Sequence, residues 1–386
     1  MAGDETKEDF GQSNREPEVW QVAAGKRSRH YEDIFYDWGI ATIGPGWEGE
    51  WDAVKCSKPE VISRLKEDGE KTPVVLENFA SKVMPGDYII LKIGLEPIAI
   101  GEVQEYKDGK AYFWNECFRL VDGWDLGHCI KVKWRKLAKG DLTLTKELTQ
   151  SKFQKTHYDK QKIIDTFKNG QTELSKSVQD IERLTAPKES GENEFKNQLE
   201  EELQKRYQTS TDNFKDRVNV IWKTILKLKD TAKEFEIAEG SEEEAKIFFI
   251  VPLLQSLGWT YKNISIEHHE IDLALSYSGF NSRDFDKEKE NMNIIIEAKH
   301  VGGGLENAKK QADEYRKRGL TNLKQFVVSN GINYYTYISK DVKNPDDEWK
   351  KSAYLDIKNL WIDGPRYRPD VKGAIELLAQ LYHHQN

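Results

Sequence analysis

The stretch Ile294–Lys299, with the sequence IIIEAK, places an acid and a lysine two residues apart at the end of an apolar run. Three consecutive isoleucines predict a buried β-strand. Because successive strand side chains point to opposite faces, Glu297 and Lys299 share one face with Ile295. The strand therefore directs a carboxylate and an ammonium group toward one point. Such a pair suits metal-dependent cleavage of a phosphodiester, in which carboxylates hold Mg²⁺ and a cation orients the attacking water and offsets developing charge.

A second strand is predicted beside this stretch. Ile271–Leu275 alternates along its length and carries Asp272 near its start. The acid-x-lysine spacing alone is common in a chain with 32% charged residues, and it recurs at 244–246, 341–343, 356–358 and 370–372. Only the copy at Glu297 follows a β-branched run. We therefore predict a site formed by Asp272, Glu297 and Lys299, and we interpret the other copies as solvated charge pairs.

Further predicted elements flank this pair of strands. A helix is predicted over 241–259, before the strands. A glycine-rich loop at 302–304 follows the lysine and leads to a helix with Gln311 and Tyr315 one turn apart on one face. The stretch Gln325–Tyr335 predicts a strand and hairpin with an Asn-Gly turn. The predicted order is helix, strand, strand, helix, strand.

Residues 241 to about 338 resemble a PD-(D/E)XK nuclease of the restriction type, especially the nuclease domain that opens type I restriction motor subunits. The resemblance implies that Asp272 and Glu297 bind the metal and that Lys299 orients the water. It further implies that Gln311 contacts the phosphate side and that Tyr315 is its partner on the helix. The implied cofactor is Mg²⁺, for which Mn²⁺ substitutes. The stretches that carry the resemblance are Pro252–Trp259, Ile271–Asp272, Glu297–Lys299, Gln311–Tyr315 and Ser329–Gly331.

The family also has an acid on the helix that precedes these strands, and three consecutive acids are candidates here. Ser241 is suited to cap this helix, with Glu244 as its capping-box partner. Counting back from Pro252 by helical spacing favours Glu242 as the acid that faces the site. Glu243 and Glu244 stay open as alternatives, since acids in a first turn also complement the helix dipole.

The N-terminal region is rich in tryptophan, with seven of the eleven tryptophans between 20 and 134. Short predicted strands separated by Gly, Pro and Asp turns favour a small β-barrel. These strands are Val19–Ala23, Gly39–Ile43, Tyr88–Ile93, Pro97–Val103, Ala111–Trp114 and Ile130–Trp134.

Residues 17–138 are similar to the PUA-like and EVE-like reader domains of modified-DNA restriction proteins, in the stretches Trp20–Gly25, Gly39–Gly44, Met84–Asp87, Ile98–Val103 and Val132–Trp134. The similarity implies recognition of a modified base, with cytosine preferred, that is flipped out of the duplex and stacked between aromatic rings. The pocket candidates are Trp20, Tyr31, Trp47, Trp51 and Trp124, with Arg29 as a phosphate contact. For each aromatic residue alone, a place in the core is an equal alternative.

The region between the two ends is charged and predicted to be helical, with helices over Lys160–Leu184 and Phe195–Phe235. An apolar stripe around Val218 and Ile225 predicts packing against the C-terminal domain or a second copy of the chain, and a spacer is the alternative. The predicted fold is multidomain α+β. It comprises a disordered acidic leader at 1–16, a small PUA-like β-barrel at 17–138, a helical linker at 139–238, and an α/β PD-(D/E)XK nuclease domain with a mixed central sheet at 239–386.

Composition narrows the function further. A mean hydropathy of -0.75 and the absence of long apolar runs argue against a membrane protein. The absence of an apolar signal region predicts that the protein is located in the cytoplasm. Three cysteines argue against a disulfide framework. The net charge of -8 is unusual for a DNA-binding protein, although basic residues cluster between 299 and 318. No P-loop is present, so no NTP-driven motor is expected.

These features together predict a modification-dependent, Mg²⁺-dependent DNA endonuclease of an antiphage defence type, with double-stranded DNA carrying a modified base as its partner. Because cleavage of both strands calls for two active sites, we expect a homodimer or a larger assembly. Two alternatives stay open. The N-terminal domain senses RNA or a small nucleotide, or the nuclease fold binds nucleic acid without cleaving it.

Overall fold

The computed structural model describes residues 15–384, with gaps at 27–28, 46–48, 68, 120, 122–123, 139–140, 143–150, 157, 174, 185–190, 209–213, 236–239, 269, 283, 300–313, 316–319, 321 and 340–348. The predicted leader at 1–16 lies almost wholly outside these residues. The described chain is a mixed α/β protein with a curled sheet in its N-terminal part and a second sheet in its C-terminal part. Within the described residues, no helix has the length and apolar character needed to cross a membrane.

The N-terminal part is built on the curled sheet. Its strands are β1 (Val19–Ala23), β2 (Gly25–Lys26), β3 (Arg29–His30), β4 (Ile40–Ile43), β5 (Tyr88–Ile93), β6 (Glu96–Val103), β7 (Tyr112–Trp114), β8 (His128–Lys136) and β9 (Phe153–Lys155). The order is β4-β8-β6-β5-β1-β9, with β7 also paired to β8, and β2 and β3 form a separate ribbon. β1 runs parallel to β5, and the other pairs of the sheet are antiparallel. All six predicted strands are confirmed, with ends within two residues.

Short helices pack around this sheet. They are α1 (Glu32–Trp38), α2 (Ala53–Cys56), α3 (Pro59–Glu67), α4 (Thr72–Glu77), α5 (Lys160–Lys168) and α6 (Val178–Glu182), with a π-helical turn at Asn78–Lys82 and a 3₁₀ turn at Glu116–Phe118. The prediction of one helix over Lys160–Leu184 is wrong. The chain leaves α5 at Asn169 and passes the Arg135 guanidinium at Gly170, where a Cβ atom would lie 1.7 Å from Arg135 Nε. The helix therefore ends where the chain meets the Arg135 side chain.

The N-terminal unit extends beyond the predicted boundary at 138. β9 pairs with β1, and its Phe153 stacks on Trp20 with ring centroids 5.2 Å apart. Ile163 and Phe167 of α5 pack with Val19 in one apolar cluster. The first half of the predicted linker is therefore part of the N-terminal core.

The C-terminal part contains a mixed sheet, as predicted, and this sheet has six strands. Its strands are β10 (Ile264–His268), β11 (Ile271–Leu275), β12 (Ile294–Ala298), β13 (Gln325–Ser329), β14 (Asn333–Ile338) and β15 (Lys350–Asp356), in this order. β12 and β13 are parallel, and the other neighbours are antiparallel. The helices are α7 (Glu192–Tyr207), α8 (Phe214–Phe235), α9 (Glu242–Glu244), α10 (Val251–Ser256), α11 (Phe285–Glu288) and α12 (Ala374–Leu381), with a π-helical turn at Ala245–Ile250 and a 3₁₀ turn at Lys289–Asn291.

The second half of the predicted linker packs on this sheet. Val218 and Ile225 of α8 share an apolar cluster with Ile294 and Ile296 of β12, so the apolar stripe contacts the C-terminal domain and the spacer alternative is wrong. The prediction of one helix over Phe195–Phe235 is also wrong. α7 ends at Gln208, which adopts the left-handed conformation with φ 49°, and α8 begins at Phe214.

Helix α1 joins the two parts of the chain. The indole nitrogen of Trp38, in α1, donates a hydrogen bond of 2.9 Å to the Tyr367 carbonyl. The Asp33 carboxylate, in the same helix, forms an ion pair with Arg368. One apolar cluster runs from the curled sheet to Tyr367 and to the face of the second sheet that carries Ile295. The two parts thus share a continuous core.

Candidate active site

Strands β11 and β12 bring the predicted acids together. Their ladder pairs Leu273 with Ile296, and beyond it the Ala298 amide donates to Asp272 Oδ2 at 2.8 Å. The Asp272 side chain thereby takes a backbone donor of the strand that carries Glu297. This hydrogen bond holds the Asp272 carboxylate toward β12, as the sequence predicts.

Glu297 lies at the centre of the candidate site, with 4% of its surface exposed. Its Oε1 atom is 2.6 Å from Lys299 Nζ, and its Oε2 atom is 3.1 Å from the Tyr315 hydroxyl. Burial raises the pKa of Glu297 above its usual value; Lys299 and Tyr315 oppose this shift, while the nearby charge of Asp272 adds to it. The structure therefore brings together Asp272, Glu297, Lys299 and Tyr315.

Tyr315 connects Glu297 to the hairpin between β10 and β11. Its hydroxyl is also 2.9 Å from the Glu270 carbonyl oxygen, so a single proton is shared between two acceptors. Glu270 and Glu267 adopt positive φ angles of 68° and 54°. Non-glycine residues in this region are uncommon, and they concentrate at functional sites. Gln311, the predicted partner of Tyr315, lies outside the described residues.

Lys246 is a site residue that the sequence interpretation missed. Its side chain is only 4% exposed, and its Nζ atom lies 3.4 Å from Asp272 Oδ1 and 3.6 Å from Glu243 Oε1 and pairs with Glu267. Burial lowers the pKa of Lys246, but the carboxylates of Glu267 and Asp272 outweigh it, so the pKa is raised overall. The interpretation of 244–246 as a solvated charge pair is therefore wrong for Lys246. Its position in sequence gave no sign of the two carboxylates that reach it from β10 and β11.

The acids of helix α9 have different environments. The predicted capping box is confirmed, because Glu244 Oε2 accepts from the Ser241 amide at 2.7 Å and the Glu244 amide donates to Ser241 Oγ at 3.1 Å. Glu244 is therefore engaged at the helix start. Among the described ion pairs, Glu243 rather than Glu242 reaches Lys246, and through it Asp272.

The π-helical turn at Ala245–Ile250 gives the physical reason for this difference. Counting back from Pro252 assumed a regular α-helix, whereas a π-turn inserts a residue and rotates the preceding side chains relative to the following ones. The same turn directs Lys246 inward. Such turns occur frequently at functional sites.

The donor atoms of this site fit a hard divalent cation. The described residues contain no group of three or more His, Cys, Asp or Glu side chains that would hold a metal ion by itself. Mg²⁺, however, is often bound by one or two carboxylates together with water and substrate phosphate oxygens. Asp272 and Glu297 supply this smaller set, and the buried position of Glu297 favours a cation beside it.

The pocket candidates of the N-terminal part divide into two groups. Trp20 is 4% exposed, is covered by Phe153 and donates its indole N–H to Asp87 at 3.0 Å, so it belongs to the core. Tyr31 is also buried, packed between Phe35 and Trp124. The core alternative thus applies to both residues. Trp51 and Trp124 are partly exposed. Trp47 and the Arg29 side chain lie outside what the structure describes.

A hydrogen-bond chain next to Trp51 was not foreseen from sequence. His128 Nε2 is 2.9 Å from the Pro45 carbonyl, which only accepts, so the neutral imidazole carries its proton there and its Nδ1 accepts from the Tyr112 hydroxyl at 3.0 Å. The Tyr112 oxygen in turn accepts from the Trp51 amide at 2.9 Å. These hydrogen bonds hold Pro45 and Trp51, the two ends of one segment. Within the described residues, the buried Trp51 indole N–H has no hydrogen-bond partner.

Comparisons of this chain with protein-family models, with curated proteins and with solved structures found no match.

Proposed function

We propose that this chain is a modification-dependent DNA endonuclease, with a PUA-like or EVE-like reader in its N-terminal part and a PD-(D/E)XK nuclease domain in its C-terminal part. The observation that carries the proposal is the convergence of Asp272, Glu297 and Lys299, with Glu297 Oε1 2.6 Å from Lys299 Nζ and Asp272 anchored on the Ala298 amide. A buried carboxylate with a raised pKa and a charged partner is a candidate for a catalytic group. The proposed role is restriction in antiphage defence.

The proposed reaction is hydrolysis of a DNA phosphodiester. The oxygen of a water molecule forms a bond to phosphorus, the bond from phosphorus to O3′ breaks, the water loses a proton and the 3′ oxygen gains one. The products are a 5′-phosphate and a 3′-hydroxyl. Asp272 and Glu297 would hold Mg²⁺, or Mn²⁺ in its place, and the bound ion would supply charge stabilisation for the phosphate oxygens. Lys299 orients the attacking water and offsets the charge that develops.

Tyr315 has a supporting role in this proposal. Its hydroxyl, 3.1 Å from Glu297 Oε2, fixes the orientation of the carboxylate that Lys299 contacts on its other oxygen. A carboxylate held at both oxygens loses little freedom when a cation binds, so the site is preorganised. Tyr315 acts as a positioning residue, because it touches Glu297 rather than the phosphate.

The N-terminal part is proposed to bind a flipped, modified base, with cytosine preferred, near Trp51 and Trp124. Both indoles are partly exposed, unlike those of the core. The ring of Trp51 is proposed to stack on the base, and the hydrogen bonds of Tyr112 and His128 hold the segment beside it. Cleavage of both strands requires two nuclease sites, so two or more chains are proposed to act together.

The nuclease assignment is tested by cleavage with purified variants. Lys299→Ala and Glu297→Gln are expected to lower cleavage at least about 100-fold while DNA binding is retained, because the cation and carboxylate act mainly on the transition state. Tyr315→Phe is expected to lower cleavage less, about tenfold, through misplacement of Glu297. Lys372→Ala is the matched control, because it removes an exposed lysine from another acid-x-lysine copy and leaves the site intact. Full activity of Lys299→Ala would refute the assignment.

The reader assignment is tested with matched DNAs that differ only in modification. Plasmid or phage DNA that is unmodified, or that carries methylated, hydroxymethylated or glucosylated cytosine, is incubated with the protein and Mg²⁺. Preference for one modified substrate is expected. Equal cleavage of all four removes the reader role, and cleavage that starts only on addition of RNA or a nucleotide assigns the N-terminal part to sensing instead.

A further inference from the structure

The candidate active site contains two buried or half-buried lysines, and each contacts a different proposed metal ligand. Lys299 Nζ lies 2.6 Å from Glu297 Oε1, and Lys246 Nζ lies 3.4 Å from Asp272 Oδ1. The proposed mechanism uses Lys299 but gives no role to Lys246. Lys246 is the more buried of the two, with 4% of its side chain exposed against 19% for Lys299.

The contacts of Lys246 fix it in place. Its three carboxylate partners come from three elements: Glu243 from α9, Glu267 from β10 and Asp272 from β11. A burial of this extent is tolerated for an ammonium group only when carboxylates compensate its charge. The ammonium group is therefore a permanent part of the acidic site rather than a mobile surface cation.

The position of Lys246 limits what Asp272 can bind. Asp272 Oδ2 accepts from the Ala298 amide at 2.8 Å, and Oδ1 faces the Lys246 ammonium group at 3.4 Å. A divalent cation that approached Asp272 from the side of Glu267 would meet the positive charge of Lys246 at short range and would be repelled. On the side that faces Glu297, away from Lys246, the carboxylates of Asp272 and Glu297 remain suited to bind one cation.

We propose that Lys246 occupies the place that a second divalent cation would take, so that each chain binds a single catalytic metal ion. The inference rests on the proposed metal-dependent nuclease function. Lys246 is a positioning residue in this scheme. It holds Asp272 for the one ion shared with Glu297, and in place of a second cation it compensates the charges of Glu243 and Glu267.

The test is the number of Mn²⁺ ions bound per chain, measured by electron paramagnetic resonance and by calorimetric titration of the full-length protein. Ions at the site are counted as those lost in the Asp272→Asn variant. The wild type and Lys246→Arg, which keeps the positive charge, are expected to bind one ion there. Lys246→Met is expected to bind two, because Glu243, Glu267 and Asp272 then form an uncompensated acidic group.

Folding of the variants is checked by thermal unfolding. If Lys246→Met does not fold, Lys246→Gln carries the test, because it is neutral and still donates a hydrogen bond to Asp272. A folded neutral variant that binds one ion, as the wild type does, overturns the inference and leaves the nuclease proposal intact. A wild type that binds no Mn²⁺ at Asp272 refutes the proposed function itself, so the two failures are distinguishable.

Discussion

Lowering the pH below about 6.5 is expected to destabilise the protein through one buried imidazole, that of His128. His128 is 2% exposed, and both of its ring nitrogens are engaged, with the Pro45 carbonyl and the Tyr112 hydroxyl. In this arrangement the neutral ring satisfies both contacts. Protonation would place a charge in the core. It would also turn Nδ1 into a donor, although in the neutral form Nδ1 accepts from the Tyr112 hydroxyl.

The size of this effect follows from the pKa. Burial lowers the pKa of His128 from 6.5 to about 4, although the contact with the Pro45 carbonyl partly opposes the shift. A difference of this size corresponds to about 3 kcal/mol of unfolding free energy. Between pH 6.5 and about 4 the unfolded chain binds the proton more readily than the folded one. Stability from this group is therefore complete above pH 6.5, falls with pH across the window and is lost below about 4.

The assay is urea unfolding at a series of pH values for the wild type and for His128→Gln. Glutamine places an acceptor and a donor near the ring nitrogens and does not titrate, while other acids contribute equally to both proteins. The wild type is expected to be the more stable at neutral pH, and its advantage should shrink by about 3 kcal/mol as the pH falls toward 4. A constant difference between the two proteins across this range would show that His128 is not buried in the neutral form, and the reasoning would fail.

Two further predictions concern stability. Lys131 is buried and donates hydrogen bonds to the carbonyls of Trp38 and Lys176. Burial lowers its pKa from 10.5 to about 8, and between these pH values the unfolded chain holds more protons than the folded one, so the free energy of unfolding should rise with pH. In urea unfolding, Lys131→Met should lack this rise. Gly331→Ala should cost about 2 kcal/mol or more, because Gly331 has a φ of 84° and an added Cβ would lie 3.0 Å from the Phe249 ring. Gly109→Ala is its matched control, since Gly109 has a φ of 74° but open space around the added Cβ. It should cost only about 1 kcal/mol of unfolding free energy, measured by urea unfolding. Equal losses in the two variants would mean that the Phe249 side chain moves aside.

Much of the fold was predictable because most of its strands have a clear signal in their own sequence. Apolar runs between Gly, Pro and Asp turns predicted six of the seven strands of the curled sheet, all except β9, and β-branched runs predicted β11, β12 and β13. Strong local signals such as the Ser241 cap and the Asn330–Gly331 turn are equally confirmed. Each of these features leaves a signal in neighbouring residues of the sequence, although the strands form only by pairing with distant ones.

Other elements depend on contacts that a local pattern does not contain. β10 and β15 border the second sheet, and no strand was predicted for either. β15 begins with two lysines, and its later residues become buried beside β14 and under α12. The break after α5 lies against Arg135, which comes from a distant strand. Propensity alone therefore joined segments that tertiary contacts separate.

The candidate site shows the same division in its chemistry. Strand alternation was sufficient to place Glu297 and Lys299 on one face, since the period of a strand is fixed by its backbone. It was not sufficient for Lys246, because the π-helical turn changes the phase of that helix and the carboxylates of Glu267 and Asp272 arrive from other strands. The consequence is chemical as well as geometric. With one lysine beside each proposed metal ligand, the folded chain compensates the charge of both carboxylates itself, so the fold has a compensating cation at each of them without a metal ion.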